Sequence, residues 1–550
     1  MKKLRVLSLA LAVVLCLTAC GGPASGGAGT SNAPVAAGEP EGAAAFTMDP
    51  AGYPVLPESK TFSVLAATSI PEGPGAWETP NEIPYFINME ERTKIHFDWE
   101  TITHTNFAER FSTLLAADDL PDVVLKAYGL SDSELVTQGT NGMFVNIEPY
   151  LAEYAPDFYA YCVENDLLKY LRMGGGIWSF PYIFDSESIQ MSKIYFNTDW
   201  LAAVDKEMPV TLDEYLEVFR AFRDQDANGN GDPADEIPLG LCDSENFINI
   251  FAGAYGLMDR GTSNTYVDAD PSDPSGNTLR FWRGDDAMKD LLKMYKQYWD
   301  EGLISHNLYD ADYYILFDNL HHEDKHGAHA AWVTVSGQGM IDKFIAPDAP
   351  PSGPAGQTWS YISGKVAQKP GLIITKECDD PAAMVAWANY NYTQQGAYDY
   401  FLGIEDESYI IDAQGHTQLT ELIENNPDGM TMDQAILRYS IYPLGHNPSL
   451  ATDETFKGGE TYWTSLEGTA RFHDFRPETV WEAVPLSVEQ AQVISTCKGD
   501  LQAVIAEYEG KFVTGVLDID AGWAEYQEKL DAAGRQKYLN AYQEAYDAMG

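Results

Sequence analysis

Between residues 61 and 127 the chain reads TFSVLAAT (61–68), NEIPYFINMEERT (81–93), IHFDWETI (95–102), NFAERFSTLLAADDL (106–120) and PDVVLKA (121–127). Short runs rich in Val, Ile, Phe and Thr alternate with stretches whose apolar residues recur at helical spacing. Ile83, Phe86 and Ile87 share one face of the first such stretch. Strands alternating with helices of this length predict parallel pairing, because a parallel strand needs a crossover and a helix is the usual one. The fold class expected is therefore α/β. Farther on, TLRFWRGDDAMKDLLKMYKQYWDEGLI sets Met288, Leu291, Leu292, Tyr295 and Trp299 at helical spacing, and the last segment sets Tyr538, Tyr542, Tyr546 and Met549 on one stripe. Both predict docked helices.

The N-terminus carries a different message. Lys2, Lys3 and Arg5 precede an apolar run, Val6 to Leu17, too short to anchor a chain across a bilayer, and Leu17-Thr18-Ala19-Cys20 follows. This is the layout of a signal peptide (1–20) ending in a bacterial lipobox, which makes Cys20 the expected site of lipidation. Residues 21–58 begin with a Gly/Ala/Ser/Pro tract without apolar periodicity and are expected to act as a flexible tether. The expected location is the extracellular face of the bacterial cell membrane.

The formal charge is −49 and becomes about −52 once the three cations of the leader are removed. Such a field repels nucleic acid and anionic membrane surfaces. Aromatic residues make up 12% of the chain and are interspersed with the acidic ones, so the charge belongs to a globular surface. A body of this size exceeds one core and implies at least two lobes. Cys162, Cys242, Cys378 and Cys497 are widely spaced and contain no CxxC pair, so neither a zinc-thiolate site nor a disulfide framework is expected.

One stretch has the grammar of a calcium loop: FRDQDANGNGDPADEIPL (222–239). Calcium requires six to eight hard oxygens, and a loop provides them by turning every second side chain inward around a glycine bend. Asp226, Asn228 and Asn230 fit positions one, three and five, Gly231 the bend and the Asp232 carbonyl position seven, with Asp235 or Glu236 closing the cage. A second register begins at Asp224 and ends on Asp235. Thr211-Leu212-Asp213-Glu214 is a capping box, so a helix should lead into the loop, whereas Pro238 and Gly240 forbid a helix after it. A half-copy of this kind suits a fixed structural site; the plain alternative is a solvated Asn/Gly turn.

A second motif competes for metal. His322-Glu323-Asp324-Lys325-His326 is a literal H-E-x-x-H, with His321 and His329 beside it. As a zinc peptidase signature it must lie within a helix, so that both histidines face one way. Gly327 and the strand-like AAWVTV run from Ala330 argue for a loop and a strand. No nucleophile elbow, P-loop or dinucleotide fingerprint is present.

The order of LPDVV (120–124), GGIWSFPY (175–182), TDWLAAVDKEMPVTLDEYLEVFRAFRDQDANGNG (198–231), DEIPL (235–239), CDDPAAMVAWANYNYTQQG (378–396), YFLGIEDESYIIDAQG (400–415) and FVTGVLDIDAGWAEYQEKL (512–530) resembles the extracellular solute-binding proteins of family 1, in the large lipoprotein branch that serves oligosaccharide ABC importers. The resemblance runs from about residue 60 to the end. It implies a two-lobed type 2 periplasmic-binding-protein-like fold with a hinge and an interlobe ligand cleft, divided into an N-terminal lobe (59–178 and 330–435) and a C-terminal lobe (179–329 and 436–550). It further implies capture of an oligosaccharide without turnover, a structural Ca2+ in the first loop register, a monomer, and partners in the permease subunits and, through Cys20, the lipid bilayer. A receptor for another polar solute, such as a peptide, keeps the same fold. Since sugar rings stack on aromatic faces and present hydroxyls to polar groups, the residues expected at the cleft are Trp77, Asp122, Tyr128, Phe180, Tyr182, Asp185, Trp332 and Tyr442. Core packing competes for each aromatic, and capping of the strand turn competes for Asp122.

Overall fold

The computed structural model describes residues 46–549 apart from 69–75, 187–192, 233, 242, 262–265, 305–323, 332–342, 360, 414, 431, 442–444, 457–459, 478–479 and 481–483. Every described residue belongs to the compact unit Glu39–Gly550. Cys20, Trp332, Tyr442, His321, His322 and Glu323 lie outside the described residues.

The stretch 61–127 folds as strand β1 (Lys60–Ala67), helix α1 (Pro84–Thr93), β2 (Ile95–Ile102), α2 (His104–Ala117) and β3 (Val123–Leu125). β1 pairs parallel with both β2 and β3. The alternation along β1 explains the two layers of helices. Phe62, Val64 and Ala66 enter one apolar cluster with Tyr85, Phe86 and Met89 of α1, while Leu65 and Ala67 enter another with Phe107, Phe111 and Leu114 of α2. A helix on each face is what a strand buried on both sides demands.

This sheet recruits strands from far along the chain. β4 (Phe180–Asp185), β9 (Val366–Ile374) and β10 (Leu450–Thr452) extend it to six strands in the order β10-β4-β9-β3-β1-β2. β9 runs antiparallel to β3 and β4, and β10 runs parallel to β4, so the sheet is mixed. Phe180–Asp185 and Leu450–Thr452 thus belong to the same sheet as 60–125, although the expected division assigns both to the C-terminal lobe. A second sheet of four strands joins β5 (Lys193–Asn197), β6 (Ile237–Gly240), β7 (His326–Ala331) and β8 (Phe344–Ile345) in the order β8-β5-β7-β6. Helix α4 (Leu212–Asp224) opens with the expected capping box: the Glu214 N–H donates to Thr211 Oγ1 at 3.3 Å and the Thr211 N–H to Glu214 Oε2 at 2.8 Å.

Helix α5 (Asp286–Asp300) buries Met288, Leu291, Leu292 and Tyr295, and Trp299 packs at the edge of the same cluster. The long helix α8 (Val488–Val513) packs on α3 (Asp132–Thr140), which touches β9 of the first sheet, and on α5, α9 (Ile519–Ala532) and α10 (Arg535–Asp547). α10 buries Tyr538 and Tyr542 as the stripe in the sequence requires. Cys162, Cys378 and Cys497 are buried free thiols. Among the described residues, no helix is long and apolar enough to cross a membrane.

Candidate functional site

In an open α/β sheet, ligands collect beyond the carboxyl ends of the parallel strands, where loops and helix starts converge. Here that edge lies after Ala67, Ile102 and Leu125. The backbone turns at once beyond β3, with Lys126 at φ +53° and Gly129 at φ +79°. The Lys126 and Ala127 N–H groups donate to the Gly371 and Pro370 carbonyls at 2.7 and 3.2 Å, tying the turn to β9. Tyr128 is thereby lifted out of the core with 36% of its surface exposed. Its ring meets His104 edge-on at 5.4 Å and His446 at 5.0 Å. The result is a ledge of three rings supplied by the start of α2, the β3 exit and the segment that precedes β10.

Polar groups surround the ledge. The Lys126 ammonium is buried and donates to the Ile441 carbonyl, and burial pulls its pKa down to about 7. His446 donates its backbone N–H to Gln368 Oε1. Burial first, and the Lys126 charge second, pull its imidazole down to about 4, so the ring is neutral at physiological pH. The Nδ1 atoms of His104 and His446 are buried without a hydrogen-bond partner, and such groups are suited to a ligand's hydroxyls. Asp185, at the carboxyl end of β4 on the same edge, accepts from the Tyr161 hydroxyl at 2.7 Å and pairs with Lys365 at 3.0 Å.

Of the expected cleft residues that are described, Tyr128 and Asp185 stand at this edge. The others are placed elsewhere. Phe180 is fully buried between Phe158 and Tyr392, and Tyr182 packs on Phe184 and Phe401. Trp77 is 3% exposed, with its indole N–H donated to the Leu437 carbonyl at 2.6 Å. Asp122 lies at the opposite, amino end of β3, where its carboxylate accepts the backbone N–H and the hydroxyl of Ser63 at 2.8 and 2.7 Å. Lys126, Gln368, His104 and His446 were not expected at the site. For Lys126 a signal existed: a lone cation directly after the apolar VVL of β3.

The 226–236 loop joins the end of α4 to β6, so a helix precedes it and a strand follows. Asp226 Oδ2 accepts the Gly231 N–H at 2.9 Å, with Gly231 at φ +92°, which is the contact expected between the first side chain of the loop and its bend glycine when the register begins at Asp226. Asn228 and Asn230 turn their side-chain amides onto Asp235, at 3.2 and 3.0 Å. Glu236 Oε1 accepts the Ala227 N–H at 3.1 Å, and burial raises its carboxyl pKa. The Asp232 carboxylate is occupied by the Ala234 N–H and its carbonyl by the Asp235 N–H. Asp226 Oδ1 and Glu236 Oε2 are buried without a partner. Two buried carboxylate oxygens without a partner are hard oxygens of the kind calcium takes, whereas the Asn228 and Asn230 side-chain oxygens accept the backbone N–H groups of Asn230 and Asp232. Among the described residues no three His, Cys, Asp or Glu side chains are gathered as a metal group, so a cation here would depend on the asparagines as well.

The H-E-x-x-H segment takes another form. His326 opens β7, paired with β6 on one side, and β7 pairs with β5 on the other. His326 and His329 are both buried, and the His329 ring stacks on Tyr195 at 5.6 Å. Asp324 accepts from Asn197 Nδ2, Trp200 Nε1 and Lys343 Nζ, each at 2.9 Å. The helix that a zinc peptidase would need does not extend to its second histidine.

No protein-family profile matches the chain. The fructooligosaccharide ABC transporter substrate-binding protein FusA of Streptococcus pneumoniae serotype 4 (strain ATCC BAA-334 / TIGR4) is 25% identical over 527 residues, spanning 90% of this chain and 91% of that protein. Lipoprotein LipO of Bacillus subtilis (strain 168) is 25% identical over 174 residues, 31% of this chain and 32% of LipO. Among solved structures, S. pneumoniae FusA in complex with kestose superposes with a TM-score of 0.73 at 22% identity, covering 89% of this chain and 99% of the other, and a FusA EF-hand mutant in complex with fructo-nystose gives the same values. Alginate-binding protein AlgQ2 without calcium ion gives a TM-score of 0.71 at 19% identity, covering 89% and 98%. The fold is the two-lobed α/β fold of the ABC-transporter solute-binding proteins, as the order of motifs implies.

Proposed function

We propose that this chain is the extracellular receptor of an ABC importer and that it captures an oligosaccharide between its two lobes and delivers it to the permease. The observation that carries this reading is the end-to-end relation to a fructooligosaccharide-binding protein, 90% of one chain against 91% of the other. The carboxyl-edge ledge supplies suitable chemistry. The exposed face of Tyr128 offers an apolar platform for a pyranose or furanose ring, and the orphaned nitrogens of His104 and His446 offer partners for its hydroxyls. Lys126, held under the ledge, would add a positive potential without entering the cleft. The chain works by binding and release, so its specificity is set by contacts that both lobes complete on closure.

The lobes in this reading follow the two sheets: 60–185 and 361–456 around the six-stranded sheet, 193–345 and 484–549 around the four-stranded one. The 226–236 loop would hold a calcium ion through Asp226, Asn228, Asn230, Asp235 and Glu236. The ion would supply structural charge balance, fixing the exit of α4 to the start of β6 so that this part of the lobe moves as a rigid body. Cys20 would carry the lipid that holds the receptor at the outer membrane face, and the chain would act as a monomer.

Calorimetry of the mature protein against a panel of neutral and acidic oligosaccharides, with and without a calcium chelator, tests this reading. One-to-one binding of one sugar class, weakened by Tyr128→Ala at least about tenfold, is the expected result. Absence of binding across the panel by a folded protein would move the assignment to a non-carbohydrate solute.

A further inference from the structure

Asn-Gly occurs three times in the chain, at 141–142, 228–229 and 230–231. The pair carries a reactivity of its own. Glycine has no side chain to shield its backbone nitrogen, and that nitrogen can close a five-membered ring on the side-chain carbonyl carbon of the asparagine before it. Whether it attacks depends on what holds the two groups, and the fold holds the three copies differently.

At 141–142 the dipeptide closes helix α3. The Asn141 N–H donates to the Thr137 carbonyl at 3.1 Å and the Gly142 N–H to the Gly139 carbonyl at 3.0 Å, so the nitrogen that would attack is bonded to a neutral amide oxygen. At 230–231 every group the reaction uses meets a suitable neighbour. The Gly231 N–H donates to Asp226 Oδ2 at 2.9 Å, and Asp226 Oδ1 is buried without a partner, which sets that carboxylate as a base on the attacking nitrogen. The Asn230 side-chain oxygen accepts the Asp232 N–H at 2.7 Å, a distance at which a backbone donor stabilises an oxyanion. Asn230 Nδ2, the leaving nitrogen, is turned away onto the Asp235 carboxylate at 3.0 Å. Gly231 sits at φ +92°, and a methyl added there would meet nothing beyond its chain neighbours within 4 Å. Both residues are exposed, so water reaches the ring. At 228–229 the Asn228 oxygen also accepts a backbone N–H, from Asn230 at 2.9 Å, but the Asp226 carboxylate is directed at Gly231.

We propose that Asn230 is a site of spontaneous modification, converting to aspartate and isoaspartate with Asp226 as the base. The Gly231 nitrogen gives its proton to Asp226 and bonds to the Asn230 side-chain carbonyl carbon. The bond from that carbon to Nδ2 then breaks, and Nδ2 takes the proton and leaves as ammonia. The cyclic imide that results consumes one water. Opening at the side-chain carbonyl gives aspartate; opening at the main-chain carbonyl gives isoaspartate, in which the chain runs on through the former side chain. The first product adds a carboxylate to a loop that already holds Asp226, Asp232, Asp235 and Glu236. The second lengthens the backbone by one carbon and breaks the alternation of side chains around Gly231. With age the loop between α4 and β6 therefore becomes a stronger cation cage or a broken one; that consequence rests on the calcium reading, and the conversion itself does not.

The test is peptide mapping by mass spectrometry of the intact mature protein after incubation at neutral pH with a chelator, with fragment ions placing the change at 141, 228 or 230. In the folded protein Asn230 is expected to convert about tenfold faster than Asn141, and ahead of Asn228. The ratio to Asn141 is expected to collapse in urea, where neither pair keeps its neighbours. Asp226→Asn keeps an acceptor for the Gly231 N–H but removes the base, and is expected to slow Asn230 about tenfold. The ratio within the unaltered protein needs no variant, so the proposal stays testable if Asp226→Asn fails to fold. Equal rates at Asn141 and Asn230, a ratio that persists in urea, or an unchanged rate in folded Asp226→Asn would each overturn it.

Discussion

The loop at 226–236 and the segment at 322–329 both contain a run of metal-ligating side chains, and the backbone treats them in opposite ways. In the loop, Gly229 and Gly231 adopt left-handed conformations and the side chains of Asp226, Asn228, Asn230, Asp235 and Glu236 turn toward one another or toward the backbone of the turn. In the other segment the chain becomes extended at His326, so successive side chains alternate between the two faces of a sheet and are absorbed in packing. A ligand motif is a statement about spacing in three dimensions. The same residue types i and i+4 share a face of a helix, but in a strand they lie about 13 Å apart.

Four measurements would break or sharpen this contrast. The largest effect is expected at Gly327, whose missing side chain leaves room for Phe222 of α4: an added methyl would sit 2.3 Å from the buried Phe222 ring. Gly327→Ala should cost about 3 kcal/mol in denaturant unfolding through overpacking. A loss below about 1 kcal/mol would mean that the strand is not seated against α4. Next comes the loop itself. With calcium at about a hundred times its dissociation constant, chelation should remove about 2.7 kcal/mol of stability by mass action, and Asp226→Ala should abolish that difference. A chelator-insensitive native protein would contradict the metal reading.

A smaller loss, about 2 kcal/mol, is expected for Asp324→Ala, because Trp200 Nε1 and Asn197 Nδ2 each donate to Asp324 and would lose their acceptor. Trp200 fluorescence would report the change directly. Last is Glu301, which accepts Arg220 of α4 at 2.6 and 2.5 Å; that hydrogen-bonded pairing, partly opposed by desolvation, holds its carboxyl down to about 2. A depressed carboxyl pKa contributes stability above the ordinary glutamate range, and the contribution is lost as pH falls toward 2. Glu301→Gln should therefore cost about 1 kcal/mol at neutral pH and flatten the acid limb of the stability curve, which urea titrations from pH 7 to pH 2.5 would measure. An unchanged limb would mean that the pairing with Arg220 does not hold the Glu301 carboxyl down.

How much could be read beforehand differs by scale. The β1–α1–β2–α2–β3 unit was legible because period two and period 3.6 are local properties, and Ile95–Ile102 forms a strand over the whole expected run. The Thr211 box and the lack of a helix directly after the loop were legible from equally local signals, a capping pattern and the Pro238 and Gly240 breakers. The membership of Phe180–Asp185 and Leu450–Thr452 in the first sheet was not, since pairing partners hundreds of residues apart leave no mark in a strand's own composition. The ledge follows the same rule. Tyr128 could be suspected from its place after a strand, but His446 reaches it only because β10 comes to lie in the same sheet. Trp77 and Phe180 show the converse: an aromatic near a strand end looks the same in sequence whether it lines a cleft or fills a core, and only the Leu437 carbonyl above the indole distinguishes the cases.

Helix α8 makes the two halves of the molecule thermodynamically inseparable. The apolar cluster it organises contains Leu65, Val124 and Leu135 from the side of the first sheet, and Leu239, Leu291 and Tyr526 from the side of the second. Melting either side strips α8 of packing that the other side also uses, so heat should dissolve both in one endotherm rather than two. A chain built this way offers a protease no half-unfolded intermediate in which one side is open while the other stays closed.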